Sequence, residues 1–482
     1  MSRALLAKRA SGIIGSVIAA LALSACSAAL SPDGGMSKVN SDVTSELAFA
    51  SGKVVSEADE VAVRGQVKAI LTGTLSAEEA VQLALLNNRG LQAAYNELGI
   101  SEADYVEASS LPNPVLSIGK ILAGKELEVE ARLVASILSL ITLKARSAVA
   151  ELEFQAAQLR AIEATFRLAA DTRRGFYTAV ASRQKQGFFE EARESARLMA
   201  DFTVKLGATG AVTKMDQARA SSFYLETSNQ LAESRLQAEL DREALVRLLG
   251  LWGQDLSFKL PSVLPPIPDK LPKSGDIEAT AIGKRVDLRI AKLELDALAR
   301  ALKLTNATRY TTMLDLAGLA TYRAEGEGEE RTETRGYGFE LEFELPIFDT
   351  GVAETKRASE QYMQAVNLLA ERAVNIRSEV RGAYQAYQAT YDITWQYRNR
   401  ILPLRQVITE QSLLEYNGMI TDVFDLLTTA QENADSNIAA IDAKRNFFLA
   451  TVDFQSAILG GGSSGGPEMT TAAASPAAGA EH

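Results

Sequence analysis

The segment GYGFELEFELPIF, Gly336 to Phe348, alternates apolar and acidic residues in a sequence that otherwise reads mostly as helix. Period-two alternation that includes aromatic residues predicts a β-strand with one apolar and one charged face. The charged positions are Glu340, Glu342 and Glu344, and the apolar positions are Tyr337, Phe339, Leu341, Phe343 and Leu345. A second segment, LEVEARLVASIL from 127 to 138, alternates in the same way, with Glu128 and Glu130 among its charged positions.

Each alternating segment follows a shorter apolar one, NPVLSIGKI (113–121) in the first case and MLDLAGLATY (313–322) in the second. The sequence therefore predicts two β-hairpins. The rest is predicted to be helical, and its first helix runs from the capping box Ser76-x-x-Glu79 to just before Pro112. Long helices are predicted over 144–205 and 352–415, each with a return helix, and another helix over 276–306. Near-heptad apolar spacing favours coiled-coil packing of the long helices.

The two halves of the chain have the same plan, which indicates an internal repeat. The motif at 174–177 (RGFY) matches 381–384 (RGAY), and 210–213 (GAVT) matches 418–421 (GMIT). Leu249-Gly250 matches Leu459-Gly460, and the three offsets are nearly constant. A fixed period of this kind is the signature of duplication. The predicted boundaries are a signal peptide (1–25), a tether with little order (26–70), the first repeat (71–250), a proline-rich linker (251–275), the second repeat (276–460) and a disordered tail (461–482).

The N-terminus is typical of a bacterial secretory signal. A basic segment precedes an apolar run that is too short to span a membrane and ends at Leu23-Ser-Ala-Cys26, which resembles a lipobox. This predicts cleavage before Cys26 and lipid attachment to its sulfur, with Ser27 favouring the outer membrane. The alternative is an ordinary signal peptide with a chance cysteine. No later segment is apolar over the roughly 18 residues that a helical span needs, so any passage through a membrane must use strands.

Composition excludes several classes of function. The formal net charge is −11 over 482 residues, which argues against a nucleic-acid partner. The only histidine is the terminal His482 and the only cysteine is Cys26, so disulfides, Cys/His metal sites and nucleophile–histidine catalysis are excluded. Chemistry by carboxylates alone stays open in principle, but nothing in the sequence singles out a pair of acids for it. We predict no enzymatic activity, no cofactor and no resident metal site. Met215 and Met419 are interpreted as packing residues rather than copper ligands.

The plan of helix, hairpin, very long helix and return helix in each half resembles the TolC family of outer-membrane efflux factors. Three stretches carry the resemblance: 75–114 (LSAEEAVQ…SSLPNP), FELPIFDTG (343–351) and 416–434 (YNGMITDVFDLLTTAQENA). The third looks most like the heavy-metal and copper branch. The resemblance implies a mainly α fold in which a homotrimer closes one β-barrel in outer-membrane lipid, with four strands from each protomer. It also implies a periplasmic helical tube that meets an adaptor and an inner-membrane pump.

The resemblance assigns roles to two groups of residues. Alternation would place glutamates in the pore lumen, where they either favour cations or only solvate the wall: Glu128, Glu130, Glu340, Glu342 and Glu344. Glycines at the helix breaks would permit left-handed backbone at the periplasmic tips that contact the adaptor, together with adjacent threonines: Gly207, Gly210, Thr213, Gly418 and Thr421. Acids just beyond would either constrict the entrance or serve only at helix starts: Asp216, Asp422 and Asp425. The spacing after Gly418 leaves open which of Asp422 and Asp425 corresponds to the family's acid.

Three functions follow from these features. The first is a lipid-anchored, passive exit channel of a tripartite efflux system that carries metal ions or small toxic compounds. The second is the exit duct of a type I protein secretion system. The third is a periplasmic coiled-coil scaffold lipoprotein, which would have no use for strands with exposed aromatic residues.

Overall fold

The computed structural model describes residues 29–49, 52–124, 126–271, 275–326, 332–418 and 420–460. The described residues form two compact units, one within 29–35, 96–159 and 289–370 and the other within 36–95, 160–288 and 371–460. The helices are α1 (Met36–Leu47), α2 (Glu57–Leu71), α3 (Ala77–Asn87), α4 (Arg89–Ala108), α5 (Ile137–Ala208), α6 (Lys214–Leu249), α7 (Ile277–Lys284), α8 (Val286–Thr308), α9 (Val352–Gln396), α10 (Leu402–Asn417) and α11 (Val423–Leu459).

The first unit contains a four-stranded antiparallel sheet in the order β1 (Val115–Ala123), β2 (Glu126–Ser136), β3 (Leu314–Glu325) and β4 (Thr332–Phe343). Both predicted hairpins are confirmed, and they pair through β2 and β3. Strand β4 begins earlier than predicted and ends at Phe343. The prediction of strand over 344–348 is wrong, because Pro346 in this stretch has no N–H to donate to a neighbouring strand.

The N-terminal segment is more ordered than predicted. Helix α1 buries Met36, Val39, Val43 and Leu47 at helical spacing. Helix α2 begins at a capping box in which Ser56 and Asp59 satisfy each other's free amides. The prediction that residues 26–70 form a tether with little order is therefore wrong for 36–47 and 57–70. A narrow apolar stripe is enough to hold a short helix such as α1 in place when neighbouring residues cover the stripe. A capping box favours the start of α2 in the same way.

Two predicted helices are each divided in two. The one that begins at the confirmed Ser76–Glu79 capping box breaks at Asn88, and the one predicted over 276–306 breaks at Arg285. Both residues have a non-helical ψ, 115° at Asn88 and 121° at Arg285. Neither break involves glycine or proline, so neither carries a strong sequence signal.

The long helices are confirmed. Helix α5 has 72 residues and starts at Ile137, seven residues before the predicted start. Helix α9 continues through one π-helical turn, Tyr397–Ile401, into α10, whose second residue is Pro403. A proline removes one helical N–H and crowds the preceding turn, which accounts for the local widening. No helix among the described residues has an apolar stretch long enough to cross a membrane.

The core of the second unit joins the two repeats. Tyr177 stacks on Phe448 with ring centroids 4.6 Å apart, and Tyr387 stacks on Phe447 at 5.7 Å. Apolar residues of the proline-rich linker also enter this core, among them Leu264. The repeat motifs RGFY and RGAY supply part of this core through Phe176, Tyr177 and Tyr384, so the duplicated sequence has a packing function.

Candidate functional site

The sheet has one polar face, and the strand register defines it. Residues that lie directly opposite in an antiparallel pair share a face, and Glu128 lies opposite Arg323 while Glu342 lies opposite Asp315. Continuing the alternation from these pairs gives the charged residues of the polar face as Glu126, Glu128, Glu130, Arg132, Asp315, Arg323, Glu325, Glu340 and Glu342. The structure therefore brings four of the predicted lumen glutamates, from β2 and β4, onto one surface.

The fifth glutamate of that prediction lies outside the sheet. Glu344 follows the last residue of β4, and its backbone N–H donates to the Met313 carbonyl at 3.4 Å. Its carboxylate accepts a hydrogen bond from the Thr312 hydroxyl. Glu344 is therefore tied to the end of the β3–β4 hairpin.

The opposite face of the sheet is mainly apolar, and its large side chains are exposed or half-buried. Its large side chains are Leu116, Ile118, Leu122, Leu127, Val129, Leu133, Leu314, Leu316, Tyr322, Tyr337, Phe339, Leu341 and Phe343. Tyr337 and Phe339 are each 84% exposed, and all of β1 is exposed. Contiguous apolar surface of this extent marks contact with a partner or with lipid.

Two arginines interrupt the acidic face, and the sequence analysis assigned them no role. Arg132 of β2 reaches across β3 to Glu340 at 3.3 Å and Glu342 at 3.1 Å on β4. Arg323 of β3 contacts Glu128 of β2 at 3.0 Å. The alternation could have placed Arg132 on the acidic face, because Arg132 occupies the next same-face position after Glu128 and Glu130.

The turn between α5 and α6 is built as predicted at Gly210 and differently at Gly207. Gly210 has φ of +76°, the left-handed conformation that glycine tolerates. Gly207 lies within α5, so its predicted left-handed backbone is wrong. What Gly207 provides is space, because a Cβ at this position would lie 1.9 Å from the side-chain amide nitrogen of Gln217.

Asp216 caps the helix that follows this turn. Its backbone N–H donates to the Thr213 hydroxyl at 3.2 Å, while its carboxylate accepts from the Thr213 N–H at 3.2 Å and from the Thr213 hydroxyl at 2.6 Å. These hydrogen bonds, with the Thr213 hydroxyl first, lower the pKa of Asp216, and Arg219 adds to the effect. The geometry is that of a capping box.

The turn between α10 and α11 differs from its counterpart. Gly418 has φ of −79°, so the left-handed backbone predicted there is wrong. Asp422 is the N-cap of α11 and accepts the Asp425 N–H at 3.0 Å. The pair Asp422 and Asp425 thus occupies the places of Thr213 and Asp216, which makes Asp425 the structural counterpart of Asp216. Thr421 is not a cap, and its hydroxyl has no hydrogen-bond partner among the described residues.

The two turns pack against each other. Ala200 and Ala220 from the first repeat form a small apolar cluster with Val423 and Leu427 from the second. The Arg219 guanidinium lies 4.5 Å from the centre of the Phe424 ring. Met215 is 63% exposed, so its interpretation as a packing residue is wrong, and Met419 lies outside the described residues. The described residues contain no cluster of acids, histidines and cysteines able to hold a metal ion.

The comparisons with known proteins rest on structure. No protein-family model and no curated protein matches the sequence. The outer-membrane channel OprN matches with a TM-score of 0.69 and 18% identity, over 90% of this chain and 97% of its own. The Campylobacter jejuni outer membrane channel CmeC matches with 0.65 and 18%, over 80% and 86%. CusC, studied for transmembrane channel formation, matches with 0.66 and 18%, over 83% and 92%.

The chain has the TolC-like fold of outer-membrane channels. The predicted fold class, mainly α with a small β part and a duplicated repeat, is confirmed. Both predicted groups of site residues, the glutamates of the hairpins and the acids and glycines of the turns, lie among the described residues of this fold. Cys26, the predicted lipidation site, lies outside the described residues.

The structure also contains a buried charge cluster that was not predicted from the sequence. Arg285, only 2% exposed, donates to both carboxylate oxygens of Asp287 at 2.9 and 2.7 Å and to Glu379 at 2.6 Å. Burial raises the pKa of nearby Glu163, with Arg167, Arg372 and Arg285 opposing the shift and Asp287 adding to it. Only the spacing of Arg285 and Asp287 beside a helix start could have indicated the cluster.

Proposed function

We propose that this protein is the outer-membrane channel of a tripartite efflux pump, assembled as a homotrimer and without catalysis of its own. The observation that carries the proposal is the sheet, which has one apolar face, one acidic face and two edge strands, β1 and β4, that pair with no further strand in the described part of the chain. Unpaired strand edges are not tolerated in lipid. Edge pairing among three copies closes the sheet and satisfies every strand.

The two faces support a role in conduction. In a closed assembly the face with Tyr337 and Phe339 contacts lipid, where aromatic and aliphatic side chains are favoured. The face with Glu128, Glu130, Glu340 and Glu342 then lines water. Both hairpins obey the same division, which is expected when lipid and lumen select the residues of every strand. A periplasmic scaffold lipoprotein would have no such requirement.

The helical turns are the proposed periplasmic tips, where an adaptor and an inner-membrane pump would dock. Gly207, Gly210 and Thr213 belong to one tip, and Gly418 and Thr421 to the other. The capping hydrogen bonds of Asp216 and Asp422 explain why acids occur at the starts of α6 and α11. If acids constrict the closed entrance, Asp216 and Asp425 are the candidates that occupy equivalent positions at the two turns. Asp422 is the N-cap residue that precedes α11.

The proposed location is the outer membrane, with a lipid anchor on Cys26 and the long helices in the periplasm. The domain boundaries are proposed as predicted, except that 36–71 contributes two helices. Metal ions or small toxic compounds are the proposed cargo, and the metal branch rests on the YNGM…VFDLL resemblance. A duct for type I secretion shares the fold and differs in cargo.

The test is assembly and conductance of the mature full-length protein in lipid. We expect a trimer by native mass spectrometry and stepwise conductance in planar bilayers. Phe339→Lys should prevent insertion, because a charge on the lipid face is costly. Glu340→Lys, the adjacent residue on the other face, should insert and conduct. A monomer that conducts nothing, or equal behaviour of the two variants, would overturn the proposal.

A further inference from the structure

We propose that Arg132 and Arg323 are specificity-determining residues of the channel, acting as countercharges that limit its preference for cations. The inference rests on the proposed function, because it requires the polar face to line the conducting path. It concerns two side chains to which neither the alternation pattern nor the resemblance gave a role.

The Arg132 side chain reaches across strand β3 to β4. Its nearest neighbour on β3 is Leu319, and yet its guanidinium contacts Glu340 and Glu342 one strand further on. The route is open because the β3 residue opposite Glu340 is Ala317, which is 2% exposed although the face around it is polar. A long side chain over a small one thus places one positive charge between two negative charges on β4.

Arg323 pairs with one acid of the first hairpin, Glu128. It lies directly opposite Glu128 on β2, and the two side chains are 3.0 Å apart. The remaining acids of the face are Glu126, Glu130, Asp315 and Glu325, and within the described residues no ion pair joins any of them. Seven carboxylates and two guanidiniums therefore give the polar face of one chain a formal net charge of −5.

The exposure of these pairs points to an electrostatic role. The side chains of Arg132 and Arg323 are 36% and 53% exposed, and ion pairs at such sites contribute little to folding. The Arg132 Nε is buried and has no hydrogen-bond partner among the described residues, so the pairing is not optimised for stability. Charged side chains repeated around a pore set its ion preference. In a trimer each substitution changes the pore charge at three places.

The experiment measures reversal potentials of the full-length protein in planar bilayers under a KCl gradient. Arg132→Gln and Arg323→Gln should each raise the ratio of potassium to chloride permeability, by about twofold or more. Arg132→Lys should leave the ratio near that of the unmodified protein. The matched control is Arg335→Gln, because Arg335 lies on the apolar face, 5.9 Å from the Tyr322 ring centre, and should change nothing.

The outcomes separate this inference from the proposed function. If the unmodified protein conducts and neither glutamine variant shifts the ratio, the inference fails while the channel function stands. An equal shift in Arg335→Gln also overturns it, because the effect would not be specific to the polar face. If one glutamine variant does not assemble, the other tests the same prediction. Absence of conductance in the unmodified protein would refute the proposed function itself.

Discussion

The helix breaks at Asn88 and Arg285 occupy equivalent places in the two repeats and are built from different chemistry. At the first, Asn88 Nδ2 donates to the Leu248 carbonyl at 2.9 Å, and Asn87 Nδ2 donates to the Leu249 and Gly250 carbonyls at 3.2 and 2.6 Å. Helix α6 ends there, and its last carbonyls lack helical partners. Neutral amides from the break supply those partners.

At the second break the C-terminal end of α11 contacts charged side chains. Arg285 donates to the Ala457 carbonyl at 3.4 Å while it is held by Asp287 and Glu379. Gly460 lies against the backbone of the break, where a Cβ would be 3.3 Å from the Val286 nitrogen. The comparison shows that the duplicated backbone geometry is retained although its hydrogen-bonding groups are not. The break in the second repeat therefore depends on buried charges, and the break in the first repeat does not.

The largest expected effect comes from removing the buried arginine. Arg285→Met should lower the free energy of unfolding by about 3–5 kcal/mol, because Asp287 loses its partner while still buried. Chemical unfolding of the detergent-solubilised protein measures the change. The double variant Arg285→Met/Asp287→Leu is the control and should recover part of the loss. No recovery would mean that Arg285 acts through packing alone.

Gly250 should come next. It has φ of +65° and ψ of +26°, and a Cβ would lie 2.8 Å from the Asn87 carbonyl oxygen. Gly250→Ala should therefore cost about 1–3 kcal/mol, as expected for a left-handed position with a backbone contact. Gly382 is a matched control in the interior of α9 with open space around it. Gly382→Ala should stabilise by about 0.5–1 kcal/mol, and a loss as large as that of Gly250→Ala would contradict the explanation.

Asn88 should have a moderate effect. Its Oδ1 accepts the Leu91 N–H at 3.0 Å and so caps α4, while its Nδ2 serves the Leu248 carbonyl. Asn88→Ala should cost about 1–2 kcal/mol, less than Arg285→Met. Asn88→Asp retains the cap and loses the donor, so its thermal stability should lie between those of the unmodified protein and Asn88→Ala. If it were as stable as the unmodified protein, the contact between the break and α6 would be unimportant.

The smallest effect is a difference in pH dependence. Glu163 has a pKa raised above its usual 4.5 by burial, so the folded protein binds this proton more tightly than the unfolded chain. Its contribution to stability is complete below about pH 4.5 and is lost as pH rises through the folded-state pKa. Glu163→Gln should make the unfolding midpoint depend less on pH over that range. Asn88→Ala should leave the shape of the pH profile unchanged, because the amide side chains that form the first break do not titrate, and an equal flattening there would remove the distinction between the charged and the neutral break.

Local patterns predicted much of the fold. Alternation in 127–136 and 336–343 predicted the strands and which side chains share a face, because a strand repeats every two residues. The strand predicted over 127–138 is wrong for its last two residues, which begin α5. The Ser76–Glu79 capping box and the left-handed Gly210 were also readable, since their interactions lie within a few residues. Residues 344–348 were misassigned because their apolar alternation continues past the last strand hydrogen bonds.

The sequence by itself determined the hairpins, their two-faced character, the long helices and the duplication, because each depends on the spacing of residues that are close along the chain. Only the tertiary structure decided where the helices break, which acids correspond at the two turns, and which glutamates are paired with Arg132 and Arg323. Those features depend on contacts between residues far apart in sequence. The hydrogen bond from Asn88 to the Leu248 carbonyl and the ion pairs from Arg132 to β4 arise from packing that no local pattern encodes.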